Sequence, residues 1–318
     1  MTLNSGAPSI IFFGTDAFST PSLQALIDAG FQIEAVITKP DGRAGRGREV
    51  APPPVKVLAL AHGIAVLQPA TAKELFDAAS TLESVHGVVV AYGRIIAPPV
   101  LDHFTGGLVN VHPSLLPKYR GPAPIEAAIL NGDAMTGICL MKVDVGMDTG
   151  PVYLREAVPL TGTEIRPALH DQLATYGAKL LTGNLAGIID GSIAPVAQST
   201  FTDVVTSVTS LITKNDGIID WIKPAVAIER HVRAYLGWPG SKTMIDGLDI
   251  AITSARAGDS LLLVGTGETG AQPGTPFKNA SGELVVITGH GELIIDRLKP
   301  AGKNEMSSRA FLAGHPLN

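Results

Sequence analysis

The sequence predicts an α/β protein: a doubly wound, mostly parallel, Rossmann-like sheet followed by a small antiparallel β-barrel. Two observations predict it. Short apolar runs alternate with helix-length segments through roughly the first 190 residues. Short apolar strands separated in this way by helices imply a mostly parallel sheet covered on both faces. Beyond them the pattern changes to closely spaced short strands separated by glycines, the habit of a small barrel.

Taken in order, Ile10 to Phe13 is a short strand that ends in Gly14-Thr15-Asp16. Pro21 opens a helix through Ala29, since proline suits a first helical turn. Gln32 to Thr38 is a strand, Val55 to Ala61 a helix, Ile64 to Leu67 a strand and Thr71 to Ala79 a helix. Val85 to Ala91, Leu108 to Val111 and Thr136 to Val143 complete the strands, and Thr163 to Leu185 is a long amphipathic helix. The later strand-like runs are Leu248 to Thr253, Ser260 to Val264, Leu284 to Thr288 and Glu292 to Leu298. The expected division is a first domain over 1–190, a linker over 191–208 and a second domain over 209–318.

Composition narrows the classes. The 318 residues are 45% hydrophobic and 17% charged, an ordinary globular balance, with a net charge of -5. That charge gives no global attraction to polyanions, so any such partner must meet a local basic patch. The one cysteine, Cys139, excludes an internal disulfide and a cysteine-based metal site, and it sits in an apolar run. No apolar run approaches the length of a spanning helix, and no signal peptide is recognisable. A cytoplasmic monomer with no membrane association is expected.

Chemistry concentrates at Leu108-Val109-Asn110-Val111-His112-Pro113. Asn110 and His112 are two residues apart at the end of an apolar strand, so they share a face. Strand ends of such sheets border the ligand crevice. The next stretch, Ser114 to Pro124, holds three further prolines and Gly121 and reads as a rigid loop shaped beside a site. After the next strand, Asp148 stands between Gly146 and Gly150, which permit a tight loop aiming its carboxylate inward. Each signal also has a bland reading, as a hydrogen-bonded strand-end pair or a turn-forming aspartate. A metal role for His112 lacks a second His or Cys at ligand spacing, so no metal is expected. Gly14-Thr15-Asp16 lacks the spacing of a dinucleotide fingerprint. Tyr92 and Phe18 stand near the strand ends, where aromatics commonly join the core.

Together, Asn110 to Ile125 (N-V-H-P-S-L-L-P-K-Y-R-G-P-A-P-I) and Asp144 to Gly150 (D-V-G-M-D-T-G) resemble the folate-dependent formyltransferases. Phe13-Gly14-Thr15, Lys39-Pro40-Asp41, Val89 to Gly93, Ile212-Thr213-Lys214, Asp220-Trp221, Trp238-Pro239 and Leu298 to Lys303 fall in the family's order. The long match most resembles members that act on initiator methionyl-tRNA. The resemblance implies that Asn110, His112 and Asp148 are catalytic and that 10-formyltetrahydrofolate is the co-substrate. It implies a folate pocket at Val90, Ala91, Tyr92, Gly93, Ser114, Leu115, Leu116, Pro117, Val143 and Gly146. A neutral hydrogen bond from Asn110 and a charge-assisted one from His112 suit a developing oxyanion, and Asp148 can orient His112 or take the amine's proton.

The implied acceptor rests on two other features. The loop from Lys39 to Arg48 carries Arg43, Arg46 and Arg48 among three glycines, and its cations suit phosphates. Arg46 matches the family's loop directly, whereas Gly42-Arg43 stands where the family carries Arg-Pro. The second domain resembles the family's OB-like, tRNA-binding barrel, which makes Lys214, Lys299 and Lys303 candidate RNA contacts. Residues 205–318 hold 11 Lys plus Arg against 11 Asp plus Glu, so binding there requires clustering. Competing readings are formyl transfer to a small amine, such as glycinamide ribonucleotide or an amino sugar, and a folate- or RNA-binding module without catalysis.

Overall fold

The computed structural model describes residues 9–44, 49–258 and 272–317. The chain folds as two compact units: residues 1–124, 135–159 and 170–209 form one, and residues 125–134, 160–169 and 210–318 the other. The strands are β1 (Ile10–Gly14), β2 (Ile33–Ile37), β3 (Gly42–Ala44), β4 (Glu49–Ala51), β5 (Ala65–Leu67), β6 (His86–Val90), β7 (Gly107–His112), β8 (Met135–Lys142) and β9 (Val152–Pro159). The helices are α1 (Thr20–Asp28), α2 (Pro54–Ala61), α3 (Ala72–Ala79), α4 (Pro98–His103), α5 (Pro124–Asn131) and α6 (Arg166–Ile189).

Seven strands form the first unit's sheet in the order β5-β2-β1-β6-β7-β8-β9. The first five are mutually parallel, and β8 and β9 close the far edge antiparallel. Burial on both faces follows from strand alternation. Ile11 and Phe13 pack with Leu75, Ala79, Val100, Phe104 and Leu108, so α3 and α4 cover one face. On the other, Gly177 of α6 sits so close to Val111 that an added Cβ would come within 2.7 Å of it. The sheet is therefore doubly wound, as the sequence predicts.

The observed elements lie within a few residues of expectation, and α6 runs further than predicted, to Ile189. Strand β9 and helices α4 and α5 are additional to the elements that the sequence predicts. The Arg-rich loop contains a short antiparallel pair, β3 with β4, in which Arg43 faces Val50. Only the backbone of Arg43 is described, and Arg46 and Arg48 lie outside the described residues.

The second unit contains α7 (Ala225–Ala234), then β10 (Ser241–Ile245), β11 (Leu248–Ala257), β12 (Pro276–Lys278), β13 (Leu284–Ile287), β14 (Glu292–Pro300), β15 (Met306–Ser307) and α8 (Ser308–Gly314). Its antiparallel sheet has the order β10-β11-β14-β13-β12, with β15 on β14. Period-two alternation builds its core from Ile250 and Ile252, Leu284 and Val286, and Leu293 and Ile295. Helix α7 contributes Ile228 and Val232, one turn apart. The expected strand at 260–264 lies outside the described residues.

Candidate functional site

Strand β7 ends with Asn110 and His112 on the face that carries Leu108. Asn110 is half-buried and His112 only 4% exposed. The loop after β8 brings Asp148 over them. The Asn110 Nδ2 lies 3.5 Å from Asp148 Oδ1, and His112 Nδ1 lies 3.6 Å from Asp148 Oδ2. Both distances are longer than a good hydrogen bond. The carboxylate thus faces both residues while its firm bond goes elsewhere: the Gly121 amide donates to Oδ2 at 2.7 Å.

His112 is held from its other side. Its Nε2–H donates to the Tyr119 carbonyl at 2.9 Å, which fixes the ring plane and leaves Nδ1 toward Asp148. The rigid loop after β7 therefore has a definite task. Tyr119, in the left-handed region at φ 59°, turns its carbonyl onto the histidine, and Gly121 turns its amide onto the aspartate. Asp148 is left-handed too, at φ 53°. A non-glycine residue there is held by its surroundings.

Of the other residues expected at the site, several are committed to structure. Leu116 is fully buried against Cys139, Met141 and Val152. The Ser114 hydroxyl donates to the Lys118 carbonyl at 2.6 Å, and the Pro117 carbonyl accepts the Ser207 amide at 3.3 Å. Leu115 packs against Gly137, where an added Cβ would meet its Cδ2 at 2.4 Å. Tyr92 lies in the core, edge-on to Phe13, and burial raises its phenol pKa against the opposing influence of Arg94. Phe18 is buried against His170.

The end of β6 stays close to the crevice. Val90 is buried, and Ala91 and Gly93 turn the chain with φ of 45° and 68°. The Lys39 ammonium lies against Gly93, where a Cβ would come within 2.5 Å of it. Thr15 ties the turn after β1 to this strand end by donating to the Tyr92 carbonyl at 2.9 Å. Val143 is partly buried beside the same cluster, and the Gly146 amide donates to Asp144 at 3.1 Å. Lys214 and Lys303 are exposed, and Lys299, in β14, is half-buried beside Glu305.

One residue that carries no signal in the sequence joins the site. Gln198, 5% exposed, donates from Nε2 to the carbonyls of Asp148 at 2.7 Å and Gly150 at 2.9 Å. A cavity of about 400 Å³ lined by Ser9, Glu34, Glu83, Ser84 and Val85 lies at the amino ends of β1, β2 and β6, the wrong end for this chemistry. There burial pushes the Glu34 carboxyl pKa up, but the Ser84 hydroxyl and the Glu83 and Ser84 amides outweigh it and leave a net lowering.

Residues 9–185 match the family model described as formyl transferase, and residues 211–316 match the formyl transferase C-terminal domain. The methionyl-tRNA formyltransferase of Pelobacter propionicus is 42% identical over 97% of this chain and 94% of its own length. That of Halorhodospira halophila is also 42% identical, over 98% and 97%. Among solved structures, the sugar 3N-formyl transferase WlaRD, in the presence of dTDP and 5-N-formyl-THF, matches with a TM-score of 0.66 at 20% identity, over 94% of this chain and 99% of that one. HypX from Aquifex aeolicus in complex with tetrahydrofolic acid matches at 0.64 and 15% identity, over 97% of this chain and 47% of that one. At such identities these two speak to the fold alone.

Proposed function

This chain belongs to the formyl transferase family, and we propose that it transfers the formyl group of 10-formyltetrahydrofolate to the amino group of methionine on initiator tRNA, for translation initiation. The observation that carries the reading is the convergence of Asn110, His112 and Asp148 from β7 and the loop after β8. The co-substrate supplies an activated formyl group on its N10. The residues present suit it: the chain turns sharply after β6, with Ala91 and Gly93 both at positive φ, and Val143 is half-buried against the cluster that holds Val89 and Tyr92.

In this reaction the amine attacks the formyl carbon, a C–N bond forms, and an oxyanion develops. Asn110 Nδ2–H donates to that oxygen. Asp148, its Oδ2 anchored by Gly121, accepts the amine's proton directly or through a water. His112, with its Nε2–H given to the Tyr119 carbonyl, turns Nδ1 toward Asp148, and in its doubly protonated form, in which Nδ1 is also a donor, it steadies the carboxylate. The N10–C bond then breaks and N10 takes up the proton.

Methionyl-tRNA is favoured as acceptor because relatives so named match almost end to end, second domain included. In this reading 1–190 is the catalytic domain, 191–208 the link and 209–318 an OB-like tRNA-binding domain. Arg43, Arg46, Arg48, Lys214, Lys299 and Lys303 meet phosphates, in a cytoplasmic monomer. The test offers labelled 10-formyltetrahydrofolate with methionyl-tRNA, glycinamide ribonucleotide or an amino sugar. Formylated methionyl-tRNA is expected, with KM rising steeply with salt. Efficient transfer to a small amine and none to tRNA overturns the choice.

A further inference from the structure

Residues 186–210 fall between the two family-matched segments, and composition marks 191–208 as a link. Within the first unit, however, this stretch is fastened at many points. Val196 exchanges main-chain hydrogen bonds with Val152 at 2.8 and 2.9 Å. Phe201 packs on Leu116, Cys139, Met141 and Val152, with the Arg155 guanidinium 4.3 Å from its ring centre. Arg155 grips Asp203 with two parallel hydrogen bonds of 3.0 and 2.9 Å. Ser207 accepts the Tyr119 amide on its hydroxyl and the Arg120 amide on its carbonyl, each at 2.9 Å.

Gln198 is the buried centre of this strap. Its Nε2 donates to the carbonyls of Asp148 and Gly150, and its Oε1 accepts from Arg120 Nε at 3.0 Å and Nη2 at 2.8 Å. Those partners fix the amide's orientation, because the reverse would set NH₂ against a guanidinium and oxygen against two carbonyls. One side chain therefore links two loops. The first contains Tyr119 and Gly121, which hold His112 and Asp148. The second contains Asp148 itself, whose left-handed backbone needs outside support.

We infer that Gln198 is a positioning residue for formyl transfer: it acts through Asp148, by holding the carbonyls on either side of Thr149 and the Arg120 loop in one register. The inference rests on the catalytic reading of Asp148. Glutamine suits the task in a way its neighbours in chemistry do not. Glutamate keeps the Arg120 pairing but, when ionised, has no donor for the carbonyls, and methionine keeps the volume with neither donor nor acceptor.

The test is a double-mutant cycle. Gln198→Glu and Gln198→Met are assayed alone and on Asp148→Asn, with 10-formyltetrahydrofolate and methionyl-tRNA. In the single variants kcat should fall on the order of 10²-fold, the scale of an ångström-sized misplacement, with KM for each substrate within about 3-fold. On Asp148→Asn, the same changes should cost little further. A wild-type kcat for Asp148→Asn itself fails the catalytic reading. With Asp148→Asn impaired, a near-normal kcat for both Gln198 variants overturns the positioning role. So does a full additive loss on Asp148→Asn, and so does absence of cooperative unfolding in both variants, which makes Gln198 a folding residue only.

Discussion

Gly150→Ala tests how closely the catalytic carboxylate depends on its loop. An added Cβ at Gly150 would lie 1.8 Å from the Lys142 carbonyl oxygen. Side-chain carbons are not found closer than 3.0 Å to such an atom, so the two backbones must part by about 1.2 Å. They cannot part easily on the far side, because Pro151 accepts the Lys142 amide at 2.8 Å. The movement is therefore expected upstream, at Thr149 and Asp148. Carried to the carboxylate, it takes the 2.7 Å bond from Gly121 beyond hydrogen-bonding range. A misplacement of this size costs on the order of 10² in turnover, or about 2.7 kcal/mol of transition-state stabilisation. The assay is single-turnover formylation at saturating substrates, with Gly183→Ala as control, since a Cβ there meets nothing within 4 Å. A Gly150→Ala enzyme whose rate stays within about 3-fold of wild type refutes the idea that this loop's placement sets the rate.

Both His112→Ala and Asp148→Ala should retain native circular dichroism. Asp148→Ala should lose roughly 10²–10⁴ in kcat, the usual worth of a proton-transfer group, and His112→Ala, which frees that carboxylate to shift, on the order of 10². Near-normal turnover in both purified variants removes the assignment. Burial pushes the Cys139 thiol up to about 12 from an ordinary value of 9.0, although the Leu116 amide and Arg155 act in the opposite direction. The unfolded chain therefore loses this proton before the folded one does. Stability should fall as pH rises from 9 toward 12, by up to about 1.4 kcal/mol per pH unit, and Cys139→Val should remove that share in urea titrations. The native thiol should also resist thiol reagents at pH 8, and rapid labelling without denaturant contradicts the burial.

How much of this is legible in the sequence depends on what kind of signal each part leaves. Asn110 and His112 announce themselves by period two at the end of an apolar strand, and the structure keeps them on one face. Asp148 is legible as a loop residue between glycines, but only the family resemblance pairs it with a strand that ends 36 residues earlier. Gln198 leaves no pattern. Its partners are main-chain carbonyls, which no sequence spells out, and it sits in a stretch without periodicity. Helix α7 escapes the sequence pattern because only two of its four buried positions, Ile228 and Val232, are large and apolar, the others being Ala225 and Ala234, while the Glu229 and Arg233 pair is itself partly buried. Leu116 shows another kind of signal: its place in the motif suggests a pocket wall, and the structure adds that it also packs on Cys139, Met141 and Val152 under the strap.

The antiparallel edge is the feature that composition hides and function needs. A strand buried on both faces reads alike in either direction, so nothing in Met135 to Lys142 shows which way β8 runs. Had β8 run parallel to β7, its end would lie beside His112, and the next loop would leave the site with the other strand ends. Instead Cys139 pairs with His112 and Lys142 with Val109. Strand β8 therefore finishes opposite Val109, one residue past Asn110 and part-way back along β7, and the Val143 amide donates to the Leu108 carbonyl at 2.8 Å. The loop that follows starts below the catalytic pair and must return over it before β9 begins at Val152. That return sets Asp148 at nearly equal distances from Asn110 and His112, and it explains the demand for bracing. A loop doubled back over a sheet face has no ladder of its own, so its geometry is borrowed from Gly121 on one side and Gln198 on the other.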